Sequence, residues 1–263
     1  VSIKRDNPDD TQNFGKEVSL KIYDRREIAF GSSRYQIVRQ PIFKTAPRLN
    51  DRRGDLMLLI NGMPVIHIEL KKSGIPVSNA YNQIEKYAHG FFSLIQVFVA
   101  MEPAEAVYFA NPGPDGVFNK SFYFHWADFD NVPYSDWQDV VKYLLNIPMA
   151  HELIGYYTIP DAKDDTLKVM RSYQYRAAKA ISDAVMDKDW TDTNNLGGHI
   201  WHTTGSGKTL TSFKSAQLIV SARTADKVVF LVDRKALGKQ SFDDYRAFAS
   251  ASEEIQDTAD TDV

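Results

Sequence analysis

In the first half of the chain, apolar residues come in short runs instead of helical stripes. Leu-Met-Leu-Leu-Ile (56–60) and Val-Ile-His-Ile-Glu-Leu (65–70) flank Asn61-Gly62, a pair suited to the positive φ angles of a tight hairpin turn. Residues 35–43 read as an earlier strand ending near Pro41, and residues 94–101 and 106–110 as two later ones. Between them Ser78, a favoured N-cap, opens a helix through Asn82, Ile84, Tyr87 and Phe91. A further helix is expected over 12–29, and another over 136–155 that Pro148 breaks or kinks. Helical periodicity returns at 173–186 and 209–222, with a loop at 190–195 and a short strand at 198–201. Lys227–Asp233 (KVVFLVD) has the continuous apolar character of a buried parallel strand. No internal repeat is present.

The pattern predicts an α/β protein: a mixed sheet with flanking helices, then the start of a parallel α/β unit. Residues 1–158 form the first domain and 171–263 part of the second. A linker spans 159–170, around the polar, proline-containing stretch Ile159–Thr166.

The 263 residues carry a net charge of −3, so nucleic-acid contacts must come from local Lys/Arg patches and not from a globally basic surface. There is no cysteine, which excludes disulfides and thiolate metal sites. No run of 18 apolar residues and no signal-peptide pattern occurs, which leads us to expect a soluble, cytoplasmic protein without membrane contact. The chain begins with Val1, and its last fifteen residues, Ala249 to Val263, are small, polar and acidic. Both features read as a fragment with a disordered tail.

The segment His202-Thr-Thr-Gly-Ser-Gly-Lys-Thr209 lies between an expected strand and an expected helix. Glycine is needed where backbone N–H groups curl around oxyanions, and Gly205 and Gly207 provide it beside Thr204 and Ser206. Lys208 would reach the β- and γ-phosphates of ATP, and the Thr209 hydroxyl would hold Mg²⁺ at a helix N-terminus. His202 stands where the strict P-loop pattern has its first glycine. His202 and His199 otherwise read as structural imidazoles. No Asp-Glu pair follows Asp233 to position Mg²⁺ and water, so ATP binding is expected of these residues and turnover is not.

Asp55 and Glu69-Leu-Lys71 sit on the two arms of the Asn61-Gly62 hairpin. Two converging carboxylates can hold a hard divalent cation, and a nearby lysine can orient water or stabilise charge on a phosphate. Register decides whether they converge. A two-residue loop pairs Asp55 with Ile68 and turns the carboxylates to opposite faces; a three-residue loop or a β-bulge sets Asp55 across from Glu69. The metal site therefore requires an odd offset, and the alternative is an exposed, solvated pair. His67 is read as one residue off the Glu69/Lys71 face, in a buried structural role. Gln83 and Tyr87 share a helix face at i, i+4, and Glu17 is a further acidic candidate.

Asp55, Glu69-x-Lys71 and Gln83-x-x-x-Tyr87 together resemble the PD-(D/E)xK nuclease fold in its helicase-associated branch. Arg171-Ser-Tyr-Gln174 is similar to the adenine-reading glutamine motif of superfamily 2 motors, whose first domain is RecA-like. Phe230 to Gln240 is similar to their motif Ia. The ordered series, with its His-Thr-Thr-Gly-Ser-Gly-Lys-Thr loop, resembles the restriction (R) subunit of type I restriction–modification enzymes over roughly residues 15–245. That resemblance implies an endonuclease joined to an ATP-driven translocase of double-stranded DNA, working with methyltransferase and specificity subunits. Asp55 and Glu69 would ligate Mg²⁺, Lys71 would act on water or phosphate, and Gln83 and Tyr87 would tune the site. Gln174 would read adenine, Thr204 to Thr209 would hold phosphates and Mg²⁺, and Arg234 and Lys235 would meet the DNA backbone. The family's Asp-Glu box, second motor domain and C-terminal assembly helices have no counterpart in these residues. Two alternatives remain: a helicase–nuclease of DNA repair, and a nucleotide-binding regulatory module with an inert hairpin.

Overall fold

The Asn61-Gly62 hairpin lies at the centre of a sheet in the computed structural model of the chain. The structure describes residues 2–9, 11–19, 23, 33–43, 52–87, 92, 94–113, 116–189, 191–192, 197–250 and 253–257. In chain order, β1 (Ser2–Lys4) and β2 (Glu17–Ser19) form an antiparallel pair. They are followed by β3 (Tyr35–Arg39), β4 (Ile42–Phe43), β5 (Arg52–Arg53), β6 (Leu56–Ile60) and β7 (Met63–Leu70). Helix α1 (Val77–Tyr87) crosses over to β8 (Val97–Glu102), which turns into β9 (Glu105–Ala110). The five-stranded sheet has the order β3-β6-β7-β8-β9, with β7 and β8 parallel and the other neighbours antiparallel.

Its central strands are mostly apolar because both faces are covered, with His67 and Glu69 of β7 the buried exceptions. Met57, Phe98, Ala100 and Phe109 pack on one face with Val77, Ala80 and Ile84 of α1. Leu58, Ile66, Val99 and Tyr108 pack on the other with α2 (Trp137–Tyr143) and α3 (Ile147–Gly155). Consecutive residues of β8 alternate strictly between these clusters, as a period of two demands.

Several expectations change. The helix expected over 12–29 is a turn at 11–15 and strand β2, and residues 20–22 and 24–29 lie outside the described set. Ser78 lies inside the first turn of α1, which starts at Val77, and does not cap it. The helical stretch over 136–155 is two helices, because Asn146 caps α3 through its side chain and Pro148 sits in that helix's first turn, where no N–H is missed. The expected linker is a β-hairpin, β10 (Thr158–Asp161) with β11 (Thr166–Val169). Ile159 and Val169 reach the core, and the buried Asp161 carboxylate is paired with Lys168.

After the hairpin come α4 (Ser172–Met186), α5 (Lys208–Ser221) and α6 (Lys235–Phe248), the last not foreseen from the sequence. The strands expected at 198–201 and 227–233 are not formed. A buried parallel strand needs hydrogen-bonding neighbours, and no described strand pairs with either segment, so Val229 and Leu231 stand 85% and 91% exposed. Part of the expected disordered tail is docked: Ile255 packs on the core, and Glu253 accepts from Ser250 N and Gln217 Nε2.

One apolar cluster runs from the sheet through Met170 to Phe213 of α5 and Tyr245 and Phe248 of α6. The Tyr108 hydroxyl, fully buried in it, donates to the Met170 carbonyl at 2.9 Å. Tyr108→Phe should lower unfolding stability by about 1–3 kcal/mol in a urea titration, since the carbonyl loses a buried donor; an unchanged midpoint would mean that this bond is not part of the join.

Candidate active site and phosphate loop

Ile60 pairs with Met63 across Asn61 (φ 52°) and Gly62 (φ 83°), so the hairpin turn itself has two residues. That register alone would separate the carboxylates. A β-bulge between Leu58 and Leu59 on one arm and Pro64 to Ile66 on the other changes it, leaving Leu58 opposite Ile66 and Leu56 opposite Ile68. Val65 is the extra residue, and accordingly Val65 and Ile66 both enter the same apolar cluster. The paired strands end at Leu56 and Ile68, and the same register carried one step further sets Asp55 opposite Glu69, the odd offset that the metal site requires. The Asp55 Oδ2 accepts the Leu70 N–H at 2.8 Å, which ties it to the strand that carries Glu69.

Glu69 is 1% exposed, a position that an isolated carboxylate could not hold. Its Oε1 lies 3.0 Å from Lys71 Nζ, and Lys71 donates onward to Gln83 Oε1 at 2.7 Å. Three of the candidate residues thus form one chain from β7 to α1. The reading of His67 is corrected: His67, Glu69 and Lys71 share a face, and His67 Nε2 stands 3.3 Å from Glu69 Oε2. Its ring is buried against Phe92 and Phe98, and a Cβ on Gly54 would come within 2.6 Å of its Cε1, so only glycine allows this approach. Tyr87 is the last residue of α1, and its side chain lies outside the described residues. Glu17 lies on β2, opposite Lys4, in a separate two-stranded sheet.

The second group forms around α5. Gly205 (φ 75°) and Gly207 (φ 80°) take left-handed conformations, and Gly207 caps the helix. The loop closes on itself: Lys208 Nζ donates to the Thr203 carbonyl at 2.7 Å, as does Ser206 Oγ. Gln174 holds it from α4, its Nε2 donating to Ser206 O at 2.9 Å while its Oε1 accepts the Arg171 N–H. The Tyr173 hydroxyl also donates to Ser206 O. A Cβ at Gly207 would come within 2.2 Å of Gln174 Nε2 and push that amide off the loop, while the positive φ of Gly207 itself favours glycine. Thr204 is exposed at the loop tip and Thr209 half-buried in the first helical turn. Arg234 and Lys235 are exposed where α6 begins, and His199 is exposed before the loop.

The family model described as type I restriction enzyme R protein N terminus matches residues 3–116, and that of the SWI2/SNF2 ATPase matches residues 173–262. The type I restriction enzyme SauCOLORF180P endonuclease subunit of Staphylococcus aureus is 37% identical over 204 residues, covering 76% of this chain and 21% of the relative. The SsaAORF53P endonuclease subunit of Staphylococcus saprophyticus is 35% identical over 240 residues, covering 90% and 24%. The chain belongs to the type I restriction R-protein family. It spans about a fifth to a quarter of the length of these R-protein relatives. Asp55, Glu69, Lys71, Gln83 and Tyr87 fall within the R-protein match, and Gln174 and Thr204 to Thr209 within the ATPase match.

His202 places Nδ1 3.1 Å from Ser206 Oγ. Partial burial, and then the nearby Lys208 ammonium, hold its pKa below the ordinary value. An NMR titration should place the imidazole midpoint below 6.5, and Lys208→Met should move it part of the way back up; a midpoint indifferent to Lys208 would contradict this loop geometry.

Proposed function

We propose that this chain is the nuclease and first motor portion of a type I restriction subunit. The subunit cuts double-stranded DNA with Mg²⁺ after ATP-driven translocation. The bulged register that sets Asp55 across from Glu69 carries this reading, because a two-residue hairpin continued without the bulge would leave an inert decoration.

The donor set suits Mg²⁺. Among the described residues no three His, Asp or Glu side chains gather as a metal cage. Two carboxylates as the protein's share of the ligands match an ion that keeps much of its hydration and takes its other ligands from water and phosphate. When bound, it would polarise the scissile phosphate and lower the pKa of a water. Asp55 and Glu69 hold that ion. Lys71 offers its ammonium to the phosphate or the attacking water, Gln83 fixes the lysine from α1, and Tyr87 belongs to the same helix face. Such a fixed cation acts by stabilising developing charge.

In the second site the backbone of Thr204 to Gly207 cradles phosphates, Thr209 holds Mg²⁺, and Gln174 braces the loop and offers its remaining amide hydrogen to the base. The Lys208 ammonium, now on a neutral carbonyl, would move to the more strongly accepting phosphate oxygens. Turnover and translocation belong to the rest of the subunit, with methyltransferase and specificity subunits as partners. No helix among the described residues is long and apolar enough to cross a membrane.

Nicking of supercoiled plasmid by the chain should require Mg²⁺ and stop with a chelator. Asp55→Ala, Glu69→Gln and Lys71→Ala should each reduce it about 100-fold or more. Nicking that survives all three substitutions rejects the assigned site.

A further inference from the structure

The His67 ring is fully buried, and the described residues offer it one polar partner, the Glu69 carboxylate. Its Nε2 stands 3.3 Å from Glu69 Oε2, while its Nδ1 meets no hydrogen-bond partner among the described residues. The rest of its surroundings is apolar. Phe92 and Phe98 stand T-shaped to it at 5.0 and 6.3 Å, and Met57 is its cross-strand neighbour in the hairpin. An aliphatic side chain would fill this space without burying an unpaired nitrogen. What the imidazole adds is its bond to Glu69.

The proton that makes this bond can be placed. On Nε2 it points at a carboxylate oxygen and leaves Nδ1 a bare acceptor. On Nδ1 it would bury an unpaired donor and set two acceptors against each other at 3.3 Å. Nε2–H therefore donates to Oε2. The ring has no room to turn away, because the Gly54 backbone lies so close that a Cβ there would come within 2.6 Å of Cε1. Gly54 directly precedes Asp55, so one ring is wedged between the arm that carries the first acid and the side chain of the second.

We infer that His67 is a positioning residue of the candidate metal site, holding Glu69 by Oε2 so that Oε1 serves a divalent cation once Lys71 has left it. This rests on the reading that Asp55 and Glu69 bind that cation. Lys71 Nζ occupies Oε1 at 3.0 Å, and work on water or phosphate takes it off that oxygen. A glutamate without this lysine regains freedom to swing, which costs order when an ion binds. The His67 bond remains, and at 3.3 Å it has room to shorten. His67 itself touches neither ion nor substrate; it acts through Glu69.

Calorimetric titration of the full chain with Mn²⁺ tests this, with Asp55→Ala as the blank for ions bound elsewhere. His67→Leu, which fills the space but lacks the donor, should bind Mn²⁺ at the acidic pair about tenfold or more weakly. His67→Gln, whose amide reaches about as far as Nε2, should recover most of that affinity. His67→Asn, with the same amide on a shorter stem, should not. Packing alone would favour leucine over either amide, the opposite order, and if His67→Leu fails to fold the two amides decide. Nitrogen-15 spectra of the metal-free chain should show a proton on Nε2. Wild-type Mn²⁺ affinity in His67→Leu, equal affinity in His67→Gln and His67→Asn, or a bare Nε2 overturns the positioning role and leaves the metal site standing. Mn²⁺ bound alike by wild type and Asp55→Ala overturns the metal reading and this inference with it.

Discussion

One unpaired residue in β7 governs the site. Without the bulge at Val65, every side chain from Ile66 onward would exchange faces relative to β6, and Asp55 and Glu69 would never meet. Pro64 explains why the bulge sits there: proline lacks the N–H that a regular ladder would need, so a strand interior accommodates it at an irregularity. The same shift delivers His67, Glu69 and Lys71 to the α1 face, where Gln83 receives the lysine. Burial then acts on the carboxylate. Glu69 is tolerated inside because Lys71 and His67 sit on its two oxygens, so the lysine that would handle phosphate also keeps the fold from rejecting its acid.

The sheet and the phosphate loop are joined by packing. The core is continuous from Leu58 to Phe248, the β10–β11 hairpin bridges its two ends, and the Ala162 N–H donates to the Ala247 carbonyl of α6. Residues 121–127 run between them. Phe124 meets Arg171 beside the loop, while the neighbouring Tyr123 stacks on Phe109 and donates to Glu85 of α1, two residues beyond Gln83. A short, well-packed segment therefore reaches both α1 and the start of α4, the helices that carry Gln83 and Gln174.

Much of this was legible in the chain because it depends on local rules. Asn61-Gly62 between apolar runs announces a hairpin, and the glycines before Lys208 announce a loop that curls over a helix start. The offset between Asp55 and Glu69 could be posed as a requirement from spacing, but its solution needed Pro64 to be read as a bulge signal. His67 was assigned to the wrong face, although a period of two counted back from Glu69 places it correctly. Residues 159–170 looked like a linker because their charges and Pro160 hid a short strand pair whose Ile159 and Val169 are buried. At 198–201 and 227–233 the apolar composition suits strands, but strand formation is a property of neighbours, and no described neighbour pairs with them. The contact of Phe124 with Arg171 brings together residues far apart in sequence, which no local pattern could reveal.

The central claim is that one cation binds between two acids brought together by the bulge. Crystals of the chain soaked in Mn²⁺, measured at the manganese absorption edge, test it directly. The account predicts an anomalous peak bonded to both the Asp55 and Glu69 carboxylates; a peak on only one of them, or none beside Glu69 while Thr209 binds its own ion, would contradict it.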